Sequence, residues 1–184
     1  MVSMTDSEFL ASQIYARPEM IKDLKAVADL DLPDGCIAAG YLRNFVWDVL
    51  HGYEERTPLQ DVDVLYFDPN CLDEKAEKEY DKQLRLKVPE RNWSVKNQAR
   101  MHIRNGNPPY ASVEDAMRYW PETATAVSVR WNRSGRLEFL APYGLEDLLQ
   151  LRVRRCPLFT DRDFFLKRVH DKAWLKIWPR LTLL

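Results

Sequence analysis

The sequence lacks long apolar stretches and has little cysteine. None of its apolar runs approaches the roughly 20 residues of a membrane-spanning helix, which argues against an integral membrane protein. The first residues, MVSMTDSEFLASQ, have neither a basic segment nor an apolar core, so we expect no signal peptide. The three cysteines are far apart, at Cys36, Cys71 and Cys156. This spacing fits neither a zinc site nor a disulfide framework, and it predicts a cytoplasmic protein.

The sequence also lacks an excess of charge of either sign. Its formal net charge is −1 at pH 7, which gives no electrostatic reason to expect binding to a long nucleic acid or to an anionic membrane. The 184 residues are 46% hydrophobic and 30% charged, which suits one globular core. We predict one domain over 1–184, with a helical segment at 1–34, a sheet-bearing core at 35–143 and C-terminal helices at 144–184.

The most informative stretch reads strand, glycine turn, helix, strand. A short apolar run at 36–39 ends at Gly40. The next residues have the i, i+3, i+4, i+7 and i+8 spacing of one apolar helix face, at Leu42, Phe45, Val46, Val49 and Leu50. Residues 61–67, DVDVLYF, alternate at first and are then continuously apolar, which predicts a buried strand with a polar start.

The polar start of this strand carries two carboxylates. Residues i and i+2 of a strand project from the same face, so Asp61 and Asp63 can direct their carboxylates toward one point. Oxygen ligands in this arrangement suit a pair of hard divalent cations such as Mg²⁺ or Mn²⁺. We therefore predict that Asp61 and Asp63 are metal ligands.

The turn before the helix provides a candidate phosphate site. Gly40 allows a ligand close to the backbone, and the start of a helix offers unpaired N–H groups and a positive dipole end. Arg43, one turn later, can add a guanidinium that pairs with phosphate oxygens. Each feature alone is common in proteins. Their order in one compact unit favours phosphoryl or nucleotidyl transfer.

Other segments give weaker indications. Residues 91–104 combine basic side chains with Trp93, and either they hold a triphosphate and a base or they form a polar sheet edge. The charged pattern at 72–87 predicts a helix with a solvated face. Residues 125–140 predict a hairpin. A last helix, entered at Thr160 to Asp163, has an apolar face that predicts core packing as far as Ile177.

The turn, the helix and the acidic strand together resemble the signature of the polymerase-β-like nucleotidyltransferase superfamily. In this sequence the signature reads AG at 39–40 and DVDV at 61–64. A closer resemblance, to a bacterial family of nucleotidyltransferases, rests on GYLRNFVWD, LQDVDVLYFD, WSVKNQARMH and LEFLAPYGLEDLL, and it extends over residues 35–155.

The resemblance implies an α/β (α+β) fold, with a mixed β-sheet flanked by helices. It implies the transfer of a nucleoside monophosphate from an NTP to an acceptor hydroxyl, with Mg²⁺ or Mn²⁺ as cofactor. Asp61 and Asp63 then have catalytic, metal-binding roles, and Gly40 has the phosphate-turn role. The full set of candidate substrate-binding residues is Gly40, Tyr41, Arg43, Asn44, Lys96 and Asn97.

The sequence departs from the superfamily pattern in two places. Tyr41 follows Gly40 where the superfamily has Gly or Ser, so backbone N–H groups, Arg43 or Asn44 have to contact the phosphate. The superfamily often has a third carboxylate on the next strand, but residues 93–98, WSVKNQ, contain no acid. We take Glu138, in the later strand LEFL, as the candidate third carboxylate. The general base is left unassigned.

Three functions remain open from the sequence. The leading hypothesis is a metal-dependent nucleotidyltransferase that uses an NTP and an unidentified acceptor. The second is a catalytically degenerate protein of the same fold that binds a nucleotide or a protein partner. The third is a metal-dependent phosphohydrolase, which requires a water-activating group that the sequence does not identify. The near-neutral charge argues against a long nucleic-acid track as acceptor.

Overall fold

The computed structural model describes residues 4–184, so residues 1–3 of the predicted N-terminal helical segment lie outside the described part. The helices are α1 (Asp6–Tyr15), α2 (Pro18–Ala28), α3 (Gly40–His51), α4 (Glu74–Lys87), α5 (Gln98–Asn105), α6 (Val113–Met117), α7 (Glu146–Leu149), α8 (Arg162–Asp171) and α9 (Trp174–Ile177). The strands are β1 (Cys36–Ala38), β2 (Val62–Tyr66), β3 (Trp93–Asn97), β4 (Ser128–Trp131), β5 (Leu137–Leu140), β6 (Arg152–Val153) and β7 (Thr182–Leu183). No helix within residues 4–184 is both long enough and apolar enough to cross a membrane.

Five strands form one mixed sheet in the order β3-β2-β1-β4-β5. β2 runs parallel to β3, because α4 carries the chain back between them, and the other neighbouring pairs are antiparallel. The predicted fold class, a mixed sheet flanked by helices, is confirmed. The short strands β6 and β7 pair separately in parallel.

The two faces of this sheet pack against different sets of residues. Val62 and Val64 of β2 belong to the main apolar cluster, which includes residues of α2 and α3. Leu65 belongs to a second cluster, with Cys36 of β1. Because side chains alternate along a strand, Asp63 shares the face of Leu65. The apolar pattern of β2 therefore determines which side of the sheet receives the carboxylate.

The C-terminal elements pack against α3 through aromatic residues. The ring of Trp47, which is fully buried in α3, lies 5.6 Å from that of Trp174 and 5.1 Å from that of Trp178, both in edge-on geometry. The indole Nε1 of Trp178 donates a 2.8 Å hydrogen bond to Asp48. These contacts hold α9 and the residue that follows it against α3.

The last predicted helix is two helices in the structure. Asp161 caps α8, since its carboxylate accepts a 2.8 Å hydrogen bond from the Phe164 N–H. The helix ends at Asp171, and Ala173 then adopts a left-handed conformation with φ 52°. This break redirects the chain into α9, so that Trp174 faces the core.

Candidate active site

The turn between β1 and α3 leaves backbone donors open. Ala39 has φ 55° and ψ −126°, a conformation that L-residues rarely adopt, and its N–H donates to the Val127 carbonyl at 3.0 Å. Gly40 is the first residue of α3, and the helix has no side-chain cap. The first N–H groups of α3 therefore have the unpaired, positive character that binds anions. A Cβ at Gly40 would lie 3.6 Å from the Arg43 guanidinium, an ordinary contact.

The two carboxylates lie beside this turn. Asp61 is exposed and directly precedes β2, and Asp63 is half-buried within it. Within residues 4–184, neither carboxylate has a hydrogen-bond or ion-pair partner. Burial, followed by the charge of Asp61, raises the pKa of Asp63 to about 6 from its ordinary 3.8, although nearby cations oppose the shift. The structure thus brings together two acids that repel each other and that, in the described residues, form no direct ion pair.

A small cavity of about 170 Å³ lies on the Asp61 side of the acids. Residues in its wall include Gly40, Arg43, Asn44, Asp61, Lys172 and Trp174. Three of the predicted substrate-binding residues, Gly40, Arg43 and Asn44, thus share one cavity with one of the predicted metal ligands. The cavity is polar, and its size suits phosphate groups better than a whole nucleotide.

Arg43 is buried and fixed on several sides. Its Nη1 donates to the Thr125 hydroxyl at 2.8 Å, and its Nε and Nη2 donate to Asn44 Oδ1 at 3.2 and 2.8 Å. Its guanidinium carbon lies 4.3 Å from the centre of the Trp174 ring. Burial lowers the pKa of Arg43 to about 10, and the guanidinium remains charged at neutral pH. Since Asn44 accepts through its oxygen, its amide nitrogen is left to donate to a ligand.

A larger cavity of about 600 Å³ lies on the Asp63 side. Its wall combines Asp63 with the amides of Asn105 and Asn107, with Thr125 and Arg168, and with a set of aromatic rings, Tyr119, Trp120, Phe159 and Phe164. A concave site of this volume, with apolar walls and a few polar groups, can enclose a nucleoside-sized molecule. The acids and the turn thus lie between a small polar cavity and a larger aromatic one.

Tyr41 points away from both cavities. Its hydroxyl donates a 3.0 Å hydrogen bond to the buried Asp23, and its carbonyl accepts a bond from Arg56. Burial, with the nearby charge of Asp23, raises the pKa of Tyr41 well above its ordinary value. The structure therefore assigns this side chain to the core between α2 and α3 rather than to the wall of the site.

Lys96 and Asn97 lie on β3 and are occupied by protein contacts. The Asn97 side chain accepts from the N–H groups of Asp68 and Ala99 and donates to the carbonyls of Asp68 and Cys71, which uses its full hydrogen-bonding capacity. Lys96 pairs with Glu77 at 3.3 Å. Its charge still reaches Asp63, whose pKa it helps to lower. Asn97 is not brought together with the carboxylate pair.

Glu138 lies on β5, three strands from Asp63 in the sheet order. At the usual strand spacing this corresponds to about 14 Å. Its carboxylate accepts a 2.7 Å bond from Arg130, its register partner on β4. The structure therefore does not bring Glu138 to the acids. No group of three or more His, Cys, Asp or Glu side chains in residues 4–184 is arranged to hold a metal ion.

Three site residues were not among the sequence predictions. Thr125, Arg168 and Lys172 reach the cavities from the segment before β4 and from the end of α8. The sequence pattern predicts that Thr125 is part of a strand and that Arg168 and Lys172 are polar positions on an amphipathic helix. The two cations reach the acids because Trp174 and Trp178, which follow α8, pack against α3, and the sequence contains no local signal of that packing.

Comparison with known proteins gives one family. Residues 25–183 match the model of a family described as nucleotidyltransferase. A solved structure described as a CCA-adding enzyme head domain is 32% identical, covers 100% of this chain and 97% of its own, and superposes with a TM-score of 0.84. A search of curated proteins finds no match.

Larger solved enzymes share the fold at lower identity. A Thermotoga maritima CCA-adding enzyme complexed with tRNA is 12% identical, covers 100% of this chain and 43% of its own, and has a TM-score of 0.60. A CCA-adding enzyme with CTP is 12% identical, covers 95% of this chain and 48% of its own, and has a TM-score of 0.51. The chain thus spans less than half the length of these two enzymes.

Proposed function

The chain belongs to the nucleotidyltransferase family, and on this premise we propose that it transfers a nucleoside monophosphate from an NTP to an acceptor hydroxyl at Asp61 and Asp63. One observation carries the proposal. Two adjacent carboxylates, which have no hydrogen-bond or ion-pair partner in the described part of the chain, lie between an open helix N-terminus and a cavity large enough for a nucleoside. A half-buried carboxylate such as Asp63, beside the charge of Asp61, is costly in a folded protein unless a cation binds there.

The residues present fit a divalent cation, Mg²⁺ or Mn²⁺. Asp61 and Asp63 would hold it, since carboxylate oxygens are the ligands that these ions prefer and no protein cation pairs with either acid in the described chain. When bound, such an ion neutralises phosphate charge and stabilises the charge that develops on the transferring and leaving oxygens.

The protein itself holds and orients the phosphates. The N–H groups at the start of α3 and the Asn44 amide donate to anionic oxygens in the small cavity. Arg43 lies behind them and supplies a fixed positive charge, and its bonds to Asn44 hold that amide in place. Preorganised donors of this kind favour the transition state because they need no rearrangement when charge develops.

The acceptor is left unidentified in this proposal. The CCA-adding enzymes that share the fold have tRNA or CTP named with their structures, but they are more than twice as long as this chain. The net charge of −1 favours an acceptor other than a long nucleic-acid track.

Calorimetric titration tests the proposal. ATP, GTP, CTP and UTP are titrated into the protein with Mg²⁺ and then with EDTA, and into a variant carrying both Asp61→Asn and Asp63→Asn. We expect at least one NTP to bind with Mg²⁺, and this binding to be lost in EDTA and in the double variant. Asp29→Asn, which removes an exposed acid that pairs with Lys87, is the matched control.

The result also separates two of the three open functions, the metal-dependent nucleotidyltransferase and the catalytically degenerate binding protein. Nucleotide binding that is unchanged in EDTA and in the double variant would support the catalytically degenerate binding protein instead. With the donor base known, transfer of a labelled monophosphate to candidate alcohols then tests catalysis directly.

A further inference from the structure

Arg168 reaches the larger cavity from α8. It lines the same wall as Asp63. Arg168 is thus a cation that lines the same cavity as the predicted metal ligand Asp63.

Glu122 holds Arg168 in this position. The Glu122 side chain is fully buried, and its Oε1 accepts a 2.8 Å bond from the Arg168 Nε. Its own backbone is fixed, because its carbonyl accepts from the N–H groups of Thr125 and Ala126 at 3.0 and 2.9 Å. A buried carboxylate is costly without its cation, so Arg168 is tied strongly to this point.

The far end of the Arg168 side chain remains open. Only its Nε has a protein partner in the described chain, and its two terminal nitrogens are not among the buried polar atoms that lack one. The Trp174 ring also supports the guanidinium, whose carbon lies 5.6 Å from the ring centre. The side chain is therefore oriented from behind, and its terminal donors are accessible to an anionic group in the cavity.

The volumes of the two cavities indicate which phosphate of a nucleotide lies beside Arg168. At about 170 Å³, the small cavity is below the usual volume of ligand pockets, whereas the larger one, at about 600 Å³, is within it. The nucleoside therefore fits on the Asp63 side and the phosphate tail on the Gly40 side. A phosphate beside both Asp63 and Arg168 is then the one attached to the nucleoside.

Resting on the proposed function, we infer that Arg168 binds the α-phosphate of the nucleotide and that Glu122 is the positioning residue that holds it there. A guanidinium at this phosphate stabilises the charge on its equatorial oxygens during transfer. Arg43 and Lys172, in the small cavity, act on the distal phosphates.

A series of nucleotides with one, two or three phosphates tests this assignment. The series of the base that the wild-type protein prefers is titrated with Mg²⁺, for example CMP, CDP and CTP, with the monophosphate measured by displacement of the triphosphate. Because every member has an α-phosphate, we expect Arg168→Gln to weaken all three by a similar factor, about 10- to 100-fold. We expect Lys172→Gln to weaken the triphosphate much more than the monophosphate. Lys167→Gln, which removes an exposed neighbour on α8, should change none of them.

Arg168→Lys keeps the charge beside Glu122 and provides a second variant if Arg168→Gln folds poorly, as judged by its thermal unfolding. It loses the planar fork, so we expect a smaller and equally uniform loss. For Glu122 we use a double-mutant cycle. If Glu122 acts through Arg168, the double variant with Glu122→Gln and Arg168→Gln should bind the nucleotide as tightly as the variant with Arg168→Gln alone. Additive losses would assign Glu122 a merely structural role.

Two outcomes overturn the inference for Arg168. One is unchanged monophosphate affinity in both Arg168 variants, and the other is a loss confined to the triphosphate, which would place Arg168 at the phosphate tail. Failure of the proposed function is distinguishable, since the wild-type protein would then bind no nucleotide, or would bind it equally well in EDTA and after Asp61→Asn and Asp63→Asn.

Discussion

Two groups of charged residues near β2 differ in whether the protein itself pairs them. On the β3 side, the buried Glu77 accepts bonds from the Asn97 N–H and from Lys96, and it pairs with both Nε and Nη2 of Arg100 at 2.7 Å. At the start of β2, Asp61 and Asp63 accept no hydrogen bond from the protein within residues 4–184. The charge of Glu77 is neutralised within the protein, whereas the charges of Asp61 and Asp63 require a ligand.

The contrast separates structural from functional polar groups. Glu77 joins α4 to β3, and its bonds hold the return of the chain that makes β3 parallel to β2. The acids of β2 contribute nothing comparable to the fold, and their mutual repulsion opposes it. Two acids that cost stability and have no structural partner within residues 4–184 suit a ligand-binding role, which is the role that this site supports.

The largest effect on stability is expected at Glu77. Glu77→Gln leaves Arg100 and Lys96 without their shared carboxylate, and we expect the free energy of unfolding to fall by about 3 kcal/mol. Urea unfolding measures the change. Nucleotide affinity should stay within about twofold of wild type under conditions where the variant is folded. A large loss of affinity in a folded variant would extend the site to the β3 side.

Asp63→Asn should have the opposite effect on stability. Because the pKa of Asp63 in the folded protein, about 6, exceeds its ordinary 3.8, the folded state holds this proton more tightly than the unfolded state. The contribution of Asp63 to stability is therefore most favourable below about pH 4 and decreases as the pH rises through 6, by about 3 kcal/mol at most.

The asparagine variant has no such titration. At pH 7 we expect Asp63→Asn to unfold with a free energy about 1–3 kcal/mol higher than wild type, while Mg²⁺-dependent nucleotide binding is lost. Urea unfolding from pH 4 to pH 8 measures the difference between the two proteins. If the free energies of unfolding of the two proteins changed with pH in parallel, folding would not raise the pKa of Asp63.

A smaller effect is expected at the turn. Ala39 is strained at φ 55°, whereas the neighbouring Ala38 is buried in an ordinary strand. Glycine relieves the strain at Ala39 but only removes a methyl group and adds chain entropy at Ala38. We expect Ala38→Gly to be less stable than Ala39→Gly by about 1–2 kcal/mol, measured by thermal unfolding. Equal losses in the two variants would mean that the Ala39 conformation carries no strain.

The smallest effect is expected at Glu138. Its pair with Arg130 is partly exposed, so Glu138→Gln should lower the free energy of unfolding by about 0–1 kcal/mol. Hydrogen bonding to Arg130 lowers the pKa of Glu138, so any difference from wild type should disappear in acid as the carboxylate is protonated. Mg²⁺-dependent nucleotide affinity should be unchanged. A strong loss of affinity would restore Glu138 as a candidate third carboxylate.

The sequence could predict the parts of the site that are close together in the chain. The order of β1, α3 and β2 follows from local periodicity, and the spacing of Asp61 and Asp63 needs only the alternation of a strand. The fold class and the family followed from that unit together with the resemblance. These predictions succeed because the relevant physics is contained within a few successive residues.

The rest depends on contacts between distant elements. The charged pattern of α4 predicts a solvated face, but Glu77 of this helix is buried. Glu77 accepts hydrogen bonds from the Lys96 ammonium and the Asn97 N–H, so both residues have structural roles. No local pattern distinguishes such a satisfied cation from Arg168, whose terminal nitrogens are open. The difference arises from which acid packs against each, and the sequence contains no local signal of that packing.

The packing of Trp174 between Arg43 and Arg168 has a consequence for the order of events during synthesis. The acids and the phosphate turn emerge from the ribosome early, with the strands of the sheet, whereas α8 and α9 emerge much later. In a nascent chain the two carboxylates are thus present before the C-terminal segment that lines both cavities with them. The candidate site is complete only when the Trp174 ring lies against both guanidinium groups, so its assembly depends on the C-terminal helices.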